Sequence, residues 1–421
     1  MLRKLSCILF LSLLTAPLFC QNSHKKELES IKGISAREIS HPDFKECYEI
    51  SIEQPLDHSN PSGSLFKQQV VIGINDPKAP VVMFTEGYAL GKITRPEFIK
   101  DCNVLYAEHR FFGRSRPDSL NWSFLTMEQA VSDLHHIRVL FSGLFEGKWL
   151  TSGASKSGQT AIAYKMYFPK DADATVAYVT PVKSSKNDER INGHLRSLLK
   201  TGCGLKVSGF QKFMLRNKTT MLKEFEKYAQ DKKYTFRKIG MEKAFEYCVL
   251  EYSFSFFQNC GDCRLIPDTL SEPPGIIEEL AAVVSPKFYS DNFFARLEPS
   301  FYMFYRELGY YEYDLSPFKN WLSDTDYSNS VFSPALNAGF DPAYLTAMHQ
   351  FIIDPGTERI VFIYGENDPY TGAQPVLNSK NCMKMIAKDG CHKSRMEALT
   401  EDQRKAVYKQ LTEWLNWPVG N

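Results

Sequence analysis

Thr151-Ser-Gly-Ala-Ser-Lys-Ser-Gly-Gln-Thr160 is the stretch on which the reading of this chain turns. Lys148-Trp-Leu150 leads into it as an apolar run, and Thr160-Ala-Ile-Ala-Tyr-Lys-Met-Tyr-Phe168 leads out with a helix-compatible pattern. The sequence predicts a strand, a sharp turn and a helix, with Ser155 at the tip. A serine held there exposes its hydroxyl at the end of a sheet and has a backbone N–H beside it at a helix N-terminus, which is the geometry of a nucleophile elbow. The pattern Gly-x-Ser-x-Gly reads here Gly153-Ala-Ser-Lys-Ser157, with serine in place of the second glycine. Taken by themselves, these ten residues are equally compatible with a plain strand-to-helix turn rich in small residues.

Outward from the turn, Pro80-Val-Val-Met-Phe84, Asn103-Val-Leu-Tyr106 and Ala174-Thr-Val-Ala-Tyr-Val179 are short apolar runs of the kind buried in a parallel sheet. Met127 to Phe141 sets Ala130, Val131, Leu134, Ile137, Leu140 and Phe141 at helical spacing. Two strands are read upstream, Tyr48 to Ile52 and Leu65 to Ile74, joined by a turn-rich link. The alternation of strand and helix predicts a parallel α/β sheet. From about Lys183 to Gln350 the periodicity is mostly helical, with aromatic clusters at Glu246–Phe257 and Phe301–Tyr313. Sheet-type patterning resumes at Arg359–Tyr364 and Met383–Ala387, and a last helix runs from about Glu401 to Trp417. Residues Gln21 to about Lys45 read as polar and partly unstructured. The expected organisation is an α/β core in two parts, 46–182 and 351–421, interrupted by a helical insertion over 183–350.

A serine hydroxyl needs a base to take its proton and an acid to fix that base. On an elbow fold the acid follows a late strand and the histidine comes last. Asp368 and His392 satisfy that order. An Asp before Pro is commonly a turn or cap residue and a lone His after a Gly-Cys turn is commonly a surface residue, but their joint order and strand context favour chemistry. Asp389 lies too near His392 on the same loop to be its acid, Asp354 precedes the strand, and His349 reads as a helical core residue. Activity is expected to fall in acid as His392 protonates. The oxyanion donors are expected to be the N–H of Lys156 and one from Thr85-Glu-Gly-Tyr88, at Gly87 or Tyr88. Glu86 is either one half of a salt bridge with Arg110 or Arg114, or an anchor for a peptide's α-amine.

Arg3 and Lys4 precede an apolar run from Leu5 to Phe19. This reads as a signal peptide over 1–20, and hence as a secreted, periplasmic or cell-surface protein. Acylation at Cys20 is disfavoured by bulky Phe19. No later stretch is long and apolar enough for a transmembrane helix, so the mature chain is expected to be soluble. Without Cys7 and Cys20, Cys47, Cys102, Cys203, Cys248, Cys260, Cys263, Cys382 and Cys391 remain, an even set that suggests disulfides. Cys382 with Cys391 and Cys203 with Cys248 are the near neighbours. Cys260-Gly-Asp-Cys263 has no partner set for a zinc site, which favours a structural role. With 50 Lys and Arg against 49 Asp and Glu, the charge balance offers no argument for a nucleic-acid partner.

Several stretches then resemble one family. They are Gln54-Pro-Leu-Asp-His58, Thr85-Glu-Gly-Tyr88, Leu105-Tyr-Ala-Glu-His-Arg-Phe-Phe-Gly113, Leu125-Thr-Met-Glu-Gln-Ala130, Gly153-Ala-Ser-Lys-Ser157 and Asn367-Asp-Pro369. The mature chain is similar to the secreted prolyl tri- and tetrapeptidyl aminopeptidases, relatives of lysosomal Pro-Xaa carboxypeptidase and dipeptidyl peptidase II. The resemblance implies an α/β-hydrolase core with a large helical cap insertion, a Ser155, Asp368, His392 triad, no cofactor or metal, and cleavage after proline. It implies peptide substrates with a free N-terminus, and Glu86 and Glu251 are the candidate anionic anchors. Glu108, His109 and Arg110 read as support for the active-site floor, and the aromatic cap segments as walls of a proline-sized pocket. An esterase or lipase using the same triad is the rival reading, and a non-catalytic binding protein on the same scaffold is the third.

Overall fold

The computed structural model describes residues 23–268, 270–334 and 339–420. The expected signal peptide, with Cys7 and Cys20, lies outside the described residues.

The strands are β1 (Ile34–Glu38), β2 (Glu46–Pro55), β3 (Leu65–Ile74), β4 (Val81–Thr85), β5 (Asn103–Ala107), β6 (Trp149–Ala154), β7 (Ala174–Tyr178), β8 (Ile360–Gly365) and β9 (Cys382–Ala387). They form a nine-stranded sheet in the order β1-β2-β3-β5-β4-β6-β7-β8-β9. The first three strands pair antiparallel, β3 joins β5 antiparallel, and all pairs from β5 to β9 are parallel. Parallel pairing brings the C-terminal ends of β6, β8 and β9 to one edge, where loop residues can converge.

The central strands are apolar on both faces because both are covered. The helices are α1 (Ser23–Ser30), α2 (Met127–Leu140), α3 (Lys156–Tyr167), α4 (Glu189–Leu198), α5 (Gly202–Arg216), α6 (Lys218–Asp231), α7 (Met241–Gln258), α8 (Pro273–Val283), α9 (Asp291–Met303), α10 (Ala343–Ile353) and α11 (Glu401–Leu415). Met83, Leu105, Ile360 and Phe362 pack with Val131 and Leu134 of α2, Ile162 of α3 and Leu345 of α10. The alternate residues Val82, Val104, Val361 and Ile363 pack with Val407, Leu411 and Trp414 of α11. The period-two alternation of β structure thus splits each strand between two cores. This sheet, its elbow and the helices between β7 and β8 make an α/β-hydrolase architecture.

Helices α4 to α9 build a separate apolar cluster in which Phe210, Met214, Phe225, Phe245, Tyr247, Tyr252 and Phe256 are buried. Helix α10 departs from the expected insertion boundary at 350, because Tyr344, Leu345, Met348 and Ile352 join the sheet-side core. His349 on that helix is exposed, which corrects the reading of a core histidine. The N-terminal segment read as partly unstructured contains α1 and β1. Strand β1 pairs with β2 from Ile34 opposite Ile52 to Glu38 opposite Tyr48, and Leu28 of α1 is fully buried. Edge strands bury little, so the run Ile34-Ser-Ala-Arg-Glu38 carries a weak pattern.

Both near-neighbour cysteine pairings are overturned. The disulfides are Cys203–Cys263 and Cys260–Cys391, while Cys248 and Cys382 are free thiols. Cys248 sits mid-helix in α7 and faces the cap cluster, whereas Cys260 lies just past the helix end and reaches the core. The Cys-x-x-Cys segment is structural, its two members bonded to different partners.

Candidate active site

Ser155 stands between β6 and α3 with φ 58° and ψ −124°, a strained setting for a residue with a side chain. Its own N–H is held by the carbonyl of Tyr178 at 2.9 Å. Small neighbours make the turn possible. A Cβ on Gly153 would lie 2.4 Å from the Ser157 carbonyl carbon, and one on Gly158 would lie 1.8 Å from Thr180 Oγ1.

Ser157, the departure from the glycine pattern, has work of its own. Its hydroxyl accepts the N–H of Gly87 at 2.8 Å, and its carbonyl accepts the hydroxyl of Thr85 at 2.8 Å. The elbow and the loop after β4 are therefore clasped together. Gly87 must be glycine, since a Cβ there would lie 2.7 Å from the Ser157 nitrogen. The same clasp removes Gly87 as an oxyanion donor, because its N–H is already spent on Ser157. Two N–H groups fit the role instead. Lys156 is the first residue of α3 and has no carbonyl inside the helix to receive its N–H. Tyr88, one residue beyond Gly87, lines the cavity that Ser155 lines.

Asp368 follows β8, fully buried, and its Oδ2 lies 2.6 Å from Nδ1 of His392. Its Oδ1 accepts the N–H of Tyr370 at 3.1 Å, which fixes the carboxylate within its own turn. His392 follows β9. Its loop lies against the end of β8 so closely that a Cβ on Gly365 would meet the Cys391 carbonyl oxygen at 2.3 Å. The His392 N–H donates to the carbonyl of Gln258, the last residue of α7, at 3.0 Å. Cys391 is bonded to Cys260, and Lys393 Nζ donates to the Asn259 carbonyl at 3.1 Å. The histidine loop is thus fastened to the cap helix at three successive residues. The structure joins Asp368 to His392 directly, and Tyr370, which lines the Ser155 cavity, lies with its ring centroid 5.4 Å from that of His392. Ser155 Oγ itself makes no hydrogen bond among the described residues. Asp389 engages Glu366 through its backbone and Asp354 closes a turn onto Gly356, so neither competes as the acid.

The cavity beside Ser155 has a volume of about 400 Å³ and is walled by cap aromatics, among them Tyr289, Phe301, Phe304, Tyr310 and Tyr311. Glu251 lines it from α7. Its Oε1 accepts the hydroxyl of Ser255 at 2.6 Å, and its Oε2 accepts those of Tyr311 at 2.7 Å and Tyr313 at 2.9 Å. Burial pushes this carboxyl up, and the three hydroxyls oppose the shift. They supply hydrogen bonds but no positive charge.

Glu86 is placed elsewhere. It lines a second cavity with Arg95, Glu97, Tyr178 and Arg395, behind the elbow. Neither expected arginine reaches it, since Arg110 pairs with Asp133 at 2.7 Å and Arg114 with Glu49 at 3.6 Å. Burial, with Glu108 nearby, pushes the Glu86 carboxyl up to about 7. The Glu108-His-Arg110 stretch is buried beneath the site. Glu108 accepts N–H groups from Leu90, Arg114 and Ser115, and the N–H of His109 donates to the Tyr88 carbonyl at 3.1 Å. The aromatic segment holding Tyr311 and Tyr313 was expected at the pocket wall, but their hydroxyls on Glu251, the clasp made by Ser157 and the histidine-loop disulfide were not expected from the sequence. The serine in the glycine position was the signal available for the clasp.

Residues 21–418 match the family described as PS-10 peptidase S37. The chain belongs to that family. As an S37 member it is a serine-type peptidase, acting on peptide substrates. It is 27% identical over 378 residues to the prolyl tri/tetrapeptidyl aminopeptidase of Streptomyces mobaraensis, covering 87% of this chain and 79% of that protein. Among solved structures it is similar to the proline iminopeptidase of Mycobacterium smegmatis, with 12% identity, 86% of this chain and 98% of that chain covered, and a TM-score of 0.39. It is also similar to a 2-hydroxy-6-oxo-6-phenylhexa-2,4-dienoate hydrolase from a Rhodococcus species, with 10% identity, coverage of 91% and 100%, and a TM-score of 0.38.

Proposed function

We propose that this S37 peptidase is an exported serine exopeptidase that releases tri- or tetrapeptides from free N-termini, after proline, through an acyl-enzyme on Ser155. The observation that carries the reading is that Ser155 and the buried carboxyl of Glu251 line one cavity. A buried carboxylate ringed by neutral hydroxyls gains most from an arriving cation. The α-amine of a peptide whose carbonyl sits at Ser155 supplies one. The compact apolar ring of proline suits walls made of Phe301, Phe304 and Tyr310. The name of the Streptomyces relative supports the same activity.

In this mechanism Ser155 Oγ attacks the peptide carbonyl as His392 Nε2 takes its proton, and Asp368 holds the Nδ1–H. The N–H groups of Lys156 and Tyr88 receive the oxyanion. His392 then returns the proton to the departing amine, and water releases the peptide. The hydroxyl and Nε2 meet in the substrate complex, since catalytic hydrogen bonds commonly tighten only when substrate arrives. The two disulfides among the described residues support an oxidising compartment.

The test is a substrate panel. Proline-containing tri- and tetrapeptide amides with free N-termini turn over and their acetylated versions do not, and a fluorophosphonate labels Ser155 and stops turnover. Full peptidase activity in Ser155→Ala excludes the mechanism, and turnover of short acyl esters with none on either peptide favours the esterase.

A further inference from the structure

Lys156 is the residue after the nucleophile, and its side chain runs into the protein instead of toward solvent, with only 2% of it exposed. Its Nζ donates to the carbonyl of Gly87 at 2.6 Å. The ammonium lies between two rings, 5.4 Å from the centroid of Tyr88 and 5.2 Å from that of Phe112. A buried cation is costly, and an apolar residue would fill this space without that cost. Its presence therefore calls for a reason beyond packing.

The reason lies in the peptide unit it grips. A trans peptide directs its C=O and the following N–H to opposite sides. Fixing the Gly87 carbonyl on Lys156 turns the Tyr88 N–H the other way, and that N–H has no acceptor among the described residues. The unit is held at both flanks as well, by the Gly87 N–H on Ser157 and by the His109 N–H on the Tyr88 carbonyl. The Lys156 grip sets the one rotation these two bonds leave open.

We infer that Lys156 is the positioning residue of the oxyanion hole, giving its own N–H as one donor and, through its ammonium on Gly87, aiming the Tyr88 N–H as the other. This rests on the serine-peptidase reading above and deepens it. One residue beside the nucleophile thereby sets both donors in register with Ser155. Burial brings the Lys156 ammonium down to about 7. The neutral amine still donates an N–H to the carbonyl, so the grip acts through geometry on either side of that titration.

The test compares Lys156→Met with Ser155→Ala and wild type. Lys156→Met is expected to keep its thermal midpoint within a few degrees, lose about 10²-fold in kcat with KM within about twofold, and bind a boroproline-terminated tripeptide boronic acid more weakly by a similar factor. Affinity for the released tripeptide is expected to be unchanged. Wild-type kcat and boronate affinity in Lys156→Met overturn the inference, as does a lowered midpoint with kcat unchanged in the folded fraction. A structure of wild type carrying the boronate is the second arm, independent of how the variant folds. It is expected to show the N–H groups of Lys156 and Tyr88 on the boronate oxygen with Lys156 Nζ on Gly87, and a Tyr88 N–H aimed elsewhere overturns the inference. Retained activity in Ser155→Ala sinks the underlying mechanism instead, which keeps the two failures apart.

Discussion

His392 Nδ1 and Asp368 Oδ2 lie 2.6 Å apart across two different strand ends, and the carboxylate is wholly buried. An imidazole so paired has one nitrogen committed and the other available. Asp368→Asn preserves the shape and removes the preference for the productive tautomer. We expect kcat to fall about 10⁴-fold, as for the same exchange in other serine triads, with the thermal midpoint little changed. Steady-state kinetics beside a melting curve checks this, and a loss under tenfold would remove Asp368 from the proposed triad.

Glu251→Gln keeps the hydrogen bonds of Ser255, Tyr311 and Tyr313 within reach but takes the charge away. For a free-amine substrate the expected loss in kcat/KM is roughly 10- to 100-fold, the range of a charge-assisted hydrogen bond. Labelling of Ser155 by a fluorophosphonate, which carries no amine, is expected to keep its rate, so the loss is confined to substrates that bring one. An unchanged kcat/KM would transfer the amine anchor to another group.

The cap fastening predicts a coupled loss. Cys260 and Cys391 are separated by 131 positions, so bridging them restrains a long loop. Replacing both by serine is expected to cost about 2–5 kcal/mol in unfolding free energy. It is also expected to lower kcat roughly tenfold at temperatures where the variant remains folded, because His392 follows Cys391 directly. Chemical denaturation and rate measurements on one preparation test both halves.

Glu86 predicts a pH dependence of stability. Folded, it keeps its proton up to about 7, and unfolded it releases it near 4.5. Between these values the folded state binds more protons, so this group's contribution becomes steadily less favourable as pH rises through the window. Glu86→Gln removes that trend. The variant is expected to match wild type near pH 4.5 and to exceed it by on the order of 2 kcal/mol near pH 8. Urea midpoints at three pH values measure the difference, and a constant offset refutes the assignment.

The fold was legible where burial is two-sided. Runs such as Ile360-Val-Phe-Ile-Tyr364 have no other use in a chain of this composition, and the elbow followed from the small residues around Ser155. Strand β1 was not legible, because an edge strand buries too little to mark its face. The triad candidates came from chain order, which a parallel sheet converts into a shared edge. Disulfide partners, the clasp of Ser157 on Gly87 and the aim of Glu86 depend on packing in three dimensions, and spacing along the chain carries no trace of them. Glu86 illustrates this: one strand end can direct a side chain to either side of the elbow, and the loop geometry that decides is set by contacts with α3.

Helix α7 offers Glu251 to the cavity and, seven residues on, ends at the Gln258 carbonyl that grips His392. At 1.5 Å per residue that is about 10 Å of rigid rod, close to the span of three extended residues. In the proposed mechanism that rod is a gauge whose zero is welded to His392. Inserting a single residue between positions 251 and 258 would swing the anchor by about 100° and shift it by 1.5 Å. On the proposed reading, product length and turnover sit on one lever, and a variant made to trim longer or shorter fragments has to rebuild the rod and its weld together.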